Sequence, residues 1–94
     1  MKSIWKYEFD GSNLEMNKMI PEESILLDVQ LQRETVCAWF LVDPTNKMVQ
    51  RNLRIYVTGD SIPDNSGKYV ATLQMNEYVL HIFDMGENDC IGLQ

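Results

Sequence analysis

Hydrophobic and polar residues alternate with a period of two along most of this chain, the pattern of half-buried strands. From Ile25 to Gln32 one parity carries Ile25, Leu27, Val29 and Leu31, and the other carries Asp28, Gln30 and Gln32. After Arg33-Glu34 the run Thr35 to Asp43 is apolar on both parities. Val36, Ala38, Phe40 and Val42 lie on one face, with Cys37, Trp39 and Leu41 on the other. A strand of that kind is covered on both sides, by a second layer or by another subunit. The two runs are expected to pair as a hairpin, with the second as the central strand of the fold.

The flanking segments repeat the pattern more briefly. Ile4 to Phe9 sets Trp5, Tyr7 and Phe9 against Lys6 and Glu8, an aromatic inner face and a charged outer one that discourages edge pairing. Asp10 to Asn13 is a turn cluster, and Leu14 to Met16 reads as a short returning strand. Asn17 to Ser24 reads as a connection in which Pro21 pushes Ile20 toward an extended conformation, with room for one helical turn at Pro21 to Glu23. Asp43 to Lys47 is a turn. Val49 to Thr58 then alternates, with Leu53, Ile55 and Val57 inward and Asn52, Arg54, Tyr56 and Thr58 outward. Turn-forming residues from Gly59 to Gly67 make the longest loop and the expected functional one. Lys68 to Met75 and Tyr78 to Met85 form a last hairpin about Asn76-Glu77, and residues 86–94 make a flexible acidic tail.

Six to seven strands at short spacing with no helix predict an all-β fold. The expectation is a small single-domain antiparallel β-sandwich or open barrel over residues 1–85. Trp5, Tyr7, Leu27, Val29, Phe40, Leu53, Ile55 and Leu73 are its expected core.

Composition narrows the function classes. With 94 residues, 45% of them hydrophobic, one domain can form a core without metal or disulfide staples, leaving little volume for an enzymatic cleft. Cys37 and Cys90 form no framework and suit a reducing compartment. The N-terminal residues have no apolar signal segment, and no run reaches membrane-spanning length, so a cytoplasmic protein without membrane contact is expected. A net charge of −6 argues against general nucleic-acid binding. The charge is uneven, however: residues 33–68 carry a net +1 and the two ends the remaining −7, which leaves room for a local anion site.

No enzyme motif stands out, and neither enzymatic activity nor a cofactor is expected. His81 sits mid-strand between Leu80 and Ile82, where a satisfied structural histidine is the ordinary reading. No Ser or Cys adjoins it, and no Gly-rich turn opens a helix to hold a phosphate. Asp60, Asp64 and Asn65 lack the spacing of a calcium loop and read as turn chemistry, so no metal site is assigned. The more informative set is Arg51, Arg54, Tyr56, Thr58 and Lys68, with Thr72 and Gln74 extending the face if the next strand pairs beside it. Arginine forks suit phosphate and a tyrosine ring can stack on a base, so these are candidate ligand-binding residues. The competing reading is an ordinary solvated sheet face. Cys37, Trp39 and Leu41 are either core or a subunit interface, and the apolar surface on their strand leads to the expectation of a homo-oligomer.

Several separated words also carry a resemblance. Met1-Lys-Ser-Ile-Trp-Lys-Tyr-Glu8, Ile25-Leu-Leu-Asp-Val-Gln-Leu-Gln32, Ala38-Trp39, Leu41-Val-Asp43-Pro44, Thr58-Gly59, Tyr69-Val-Ala-Thr72 and His81-Ile-Phe83 occur in this order. Over residues 1–84 the chain resembles a family of small uncharacterised proteins of phages, prophages and bacteria. Where that family's pattern has Thr-Gly-His, this chain has Thr58-Gly59-Asp60. The resemblance implies a non-enzymatic accessory protein that acts by binding. The leading expectation is sequestration of a small anionic ligand such as a nucleotide signal of host antiviral defence. The alternative is a protein–protein inhibitor of a host factor, or a virion accessory protein, with no small-molecule ligand.

Overall fold

The computed structural model describes residues 1–10 and 14–88. Seven strands run in order: β1 (Ser3–Glu8), β2 (Glu15–Pro21), β3 (Ile25–Gln32), β4 (Thr35–Val42), β5 (Met48–Val57), β6 (Lys68–Met75) and β7 (Tyr78–Asn88). They form two antiparallel sheets, one of order β1-β4-β3 and one of order β2-β5-β7-β6. The fold is all-β as expected, and of the two forms anticipated it is the two-sheet sandwich, not the open barrel. Among the described residues no helix is long and apolar enough to cross a membrane.

Parity explains the core. β4 is the middle strand of the smaller sheet, and its Val36, Ala38, Phe40 and Val42 are all buried against the other sheet. The larger sheet answers with Met16 and Ile20 from β2, Leu53 and Ile55 from β5, and Leu80 and Ile82 from β7. Each such large side chain contributes about 1.5–3 kcal/mol on burial. Trp5, Tyr7 and Leu73 are partly buried against this cluster, and Tyr7 meets the Phe40 ring edge-on at 5.8 Å between centroids. The β3–β4 hairpin closes through Arg33 (φ 51°) and Glu34 (φ 68°), the left-handed pair that a two-residue turn needs to match strand twist.

Four local features depart from the sequence expectation. A bulge between Leu26 and Asp28 resets the face of β3, so Leu27 is exposed and Leu26 packs on the core in its place. β2 extends to Pro21 instead of ending at Met16, and no helical turn follows. It is an edge strand, so a proline at its end forfeits no ladder bond, and Ile20 is fully buried. β6 does not pair beside β5, because β7 lies between them. Finally, β7 runs beyond Met85 through Asn88, with Gly86, Glu87 and Asn88 paired to Asn52, Arg51 and Gln50. The rest of the expected tail, residues 89–94 with Cys90, lies outside the described residues.

Candidate ligand-binding site

The outward face of the larger sheet is built in rows across the strands. Glu15, Arg54, Phe83 and Tyr69 form one row across β2, β5, β7 and β6, and Tyr56, His81 and Thr72 form the next. Residues directly opposite on neighbouring strands share a face, which is what assembles these side chains. Phe83 is the centre of an aromatic cluster: Tyr56 and Tyr69 each meet it edge-on, at 5.5 and 5.8 Å. Beside the rings runs a hydrogen-bonded chain. Thr58 Oγ1 lies 2.8 Å from His81 Nε2, His81 Nδ1 lies 3.1 Å from Thr72 Oγ1, and Thr72 Oγ1 lies 2.6 Å from the Tyr69 hydroxyl. Both imidazole nitrogens are therefore engaged, each by a threonine hydroxyl.

At one margin of this face lies an open groove of about 510 Å³, walled by Leu14, Glu15, Arg54, Tyr56, Asp60 and Ser61. Its cation is Arg54, set between the carboxylates of Glu15 and Asp60, with its Nε 2.8 Å from Glu15 Oε2. The nearby Tyr56 oxygen, and after it the Glu15 carboxylate, raise the guanidinium pKa above its ordinary value. Arg54 Nε and the Tyr56 hydroxyl are both withdrawn from solvent, with the Glu15 carboxylate beside the first. Asp60 shapes the rim: its Oδ2 accepts from Val57 N–H at 2.8 Å and its own N–H donates to Val57 O at 2.9 Å.

Of the five expected ligand residues, the structure brings together Arg54, Tyr56 and Thr58 and removes the other two. Arg51 shares the parity of Leu53, not of Arg54, and points into the sandwich, 8% exposed. Its Nε and Nη2 donate to the two Asp84 oxygens, its Nη1 donates to Ser24 O at 2.8 Å, and its guanidinium lies 5.2 Å from the centre of the Phe40 ring. Glu87 approaches Nη1 at 3.6 Å. A group so fully engaged is structural. Lys68 is separated from Arg54 because β7 intervenes; it lines a different groove, of about 370 Å³, together with Arg51, Asp84 and Tyr69. His81, Phe83 and Tyr69 were missed as ligand-face residues. The first two were legible as the parity opposite Leu80 and Ile82, whereas Tyr69 joins them only because β6 slips register between Tyr69 and Ala71.

The expected interface triad also divides. Trp39 and Leu41 are half-buried on the outer face of the smaller sheet, so Trp39 is not core. Cys37 shares that face but is fully buried and cannot touch a partner. Lys6 Nζ donates to Gln32 Oε1 at 3.1 Å, a strap between the two outer strands of that sheet, and Cys37 Sγ lies 3.9 Å from the same Gln32 oxygen. Burial pushes the thiol pKa up, with the nearby Lys6 charge opposing it.

A family model described as Domain of unknown function (DUF7352) matches residues 1–89. No curated protein and no solved structure matches the chain.

Proposed function

The chain belongs to the DUF7352 family, a domain of unknown function, and from the site itself we propose a non-enzymatic binding protein that sequesters a small ligand carrying an anionic group and a planar ring. The carrying observation is the Arg54 guanidinium beside the Tyr56 hydroxyl, in a groove that borders the Tyr56–Phe83–Tyr69 cluster. A guanidinium meets phosphate or carboxylate oxygens, and aromatic faces and edges accept a base. A nucleotide joins both groups in one molecule, and the groove volume is in the range of small-molecule sites. The resemblance to phage and prophage proteins supports a nucleotide signal of host antiviral defence as that ligand. Sequestration fits the site better than turnover, because both nitrogens of His81 are already held by threonine hydroxyls.

The test is to incubate the purified protein with a panel of cyclic and linear nucleotides, release bound ligand by heat and identify it by mass. Intact recovery supports sequestration, and altered products point to an enzyme. Arg54→Ala should weaken retention about tenfold or more. No retention of any nucleotide, with a host protein captured by pull-down instead, overturns the reading in favour of an inhibitor.

A further inference from the structure

The outer face of the β1-β4-β3 sheet is self-complementary under a two-fold rotation, and we propose that it is the interface of a homodimer whose axis runs parallel to β4. Two rows make the case. Ile4, Leu41 and Ile25 are directly opposite one another across the three strands, and so are Lys6, Trp39 and Asp28. The first row is apolar throughout, with Ile4 60% and Ile25 53% exposed. The second carries a cation on one flank and an anion on the other, with an indole between them.

A rotation about an axis parallel to β4 lays each β1 over the β3 of the other copy while keeping every row at its own level. Leu41 then faces Leu41 and Trp39 faces Trp39 along the axis. Ile4 faces Ile25 of the partner subunit, and Lys6 faces Asp28 of the partner subunit, twice by symmetry. A two-fold axis along the rows would instead stack β1 on β1, so each Lys6 would face its own strand's copy and lose the pairing. Lys6 stands 3.4 Å from Glu8 and donates to Gln32 in its own copy, so the partner's Asp28 adds a further contact. Asp28 has no cation of its own: its oxygens accept from Val29 N–H and the Gln30 side-chain amide, and no Lys or Arg reaches it among the described residues. Sheets that stack face to face do so about 10 Å apart and near-aligned, so the match holds over the two central rows despite strand twist.

The size of the face sets the strength. Three strands at about 4.8 Å spacing, and eight residues of β4 at about 3.3 Å each, span about 14 by 26 Å. That footprint, about 360 Å² per copy and about 730 Å² for two, is the size of a weak, transient contact, and so predicts association at high micromolar concentration. The ligand groove is on the other sheet, so the dimer presents two separate binding faces pointing away from each other.

Sedimentation velocity across the micromolar range tests this, alongside charge reversals. The wild type should sediment as a dimer at the upper end. Lys6→Glu and Asp28→Lys, both at exposed positions, each create two like-charge contacts and should weaken association about tenfold or more. The double variant K6E/D28K restores both pairs in reverse and should return association to near the wild-type level. Circular dichroism of each variant checks that the strand signature persists. A monomer throughout the range overturns the proposal, as does a dimer indifferent to all three variants. Ligand retention is read separately and does not enter either outcome.

Discussion

Arg51 and Asp84 meet as a two-pronged ion pair inside the sandwich, Nε to Oδ1 at 3.0 Å and Nη2 to Oδ2 at 2.7 Å, with side chains only 10% and 13% exposed. The pair joins β5 to β7 beneath Phe40 of the opposite sheet. An ion pair withdrawn from water to this degree is costly to break one-sidedly, because the remaining charge stays buried.

Arg51→Ala should therefore destabilise the fold by about 3–5 kcal/mol. Urea unfolding measures it. The double change Arg51→Met with Asp84→Leu removes both charges and should recover most of that loss; a double variant as unstable as the single would show that the pair itself, and not the orphaned carboxylate, supplies the stability.

Acid should weaken the fold through the same carboxylate. Burial pushes the Asp84 pKa up, but the Arg51 fork, the Gly86 N–H and the Arg51 and Lys68 charges outweigh it and hold it below the ordinary value. A folded pKa below the unfolded one means that the stabilisation is complete above the unfolded value near about 3.9 and is lost as pH falls through the folded one. Stability measured from neutral pH downward should stay flat with respect to Asp84 until about pH 4 and then fall. In Asp84→Asn that acid limb should be shallower.

Two loop glycines should respond differently to alanine. Gly67 has φ +81°, and a Cβ there would stand 2.3 Å from the Asp84 carbonyl oxygen, which is backbone and cannot swing away. Gly59 has φ +100°, with open space where its Cβ would be. Gly59→Ala carries the conformational strain alone, about 1 kcal/mol, whereas Gly67→Ala adds displacement of the β6–β7 ladder. Thermal unfolding should show the larger fall in Tm for Gly67→Ala.

Glu15 should act as a competitor for Arg54. Its carboxylate pairs with the guanidinium at 2.8 Å on the groove wall, both side chains being about two-fifths exposed. Glu15→Gln keeps the shape and removes the charge. Equilibrium binding of the nucleotide recovered by heat release should tighten in this variant and weaken in Arg54→Ala. Weaker binding in Glu15→Gln would show that the carboxylate contacts the ligand itself.

The sequence by itself determined the all-β class, most strand positions and the inner parity of β4 and β5, because a period of two assigns every side chain of a regular strand to one face or the other. It also brought Arg54, Tyr56 and Thr58 to one surface, since all three share a parity on one strand. Tertiary structure alone decided the rest, wherever the periodicity breaks or strand order matters. The bulge at Leu26 and Asp28 exchanged Leu26 for Leu27 in the core, a one-residue slip that no local composition announces. Placing β7 between β5 and β6 separated Lys68 from Arg54 and set His81 and Phe83 beside Tyr56, because pairing partners far apart in the chain are chosen by how two sheets bury their inner faces. Arg51 became structural for the same reason. Its parity pointed it inward, and only the folded chain supplied Asp84, Glu87 and the Ser24 carbonyl to make burial of its charge tolerable.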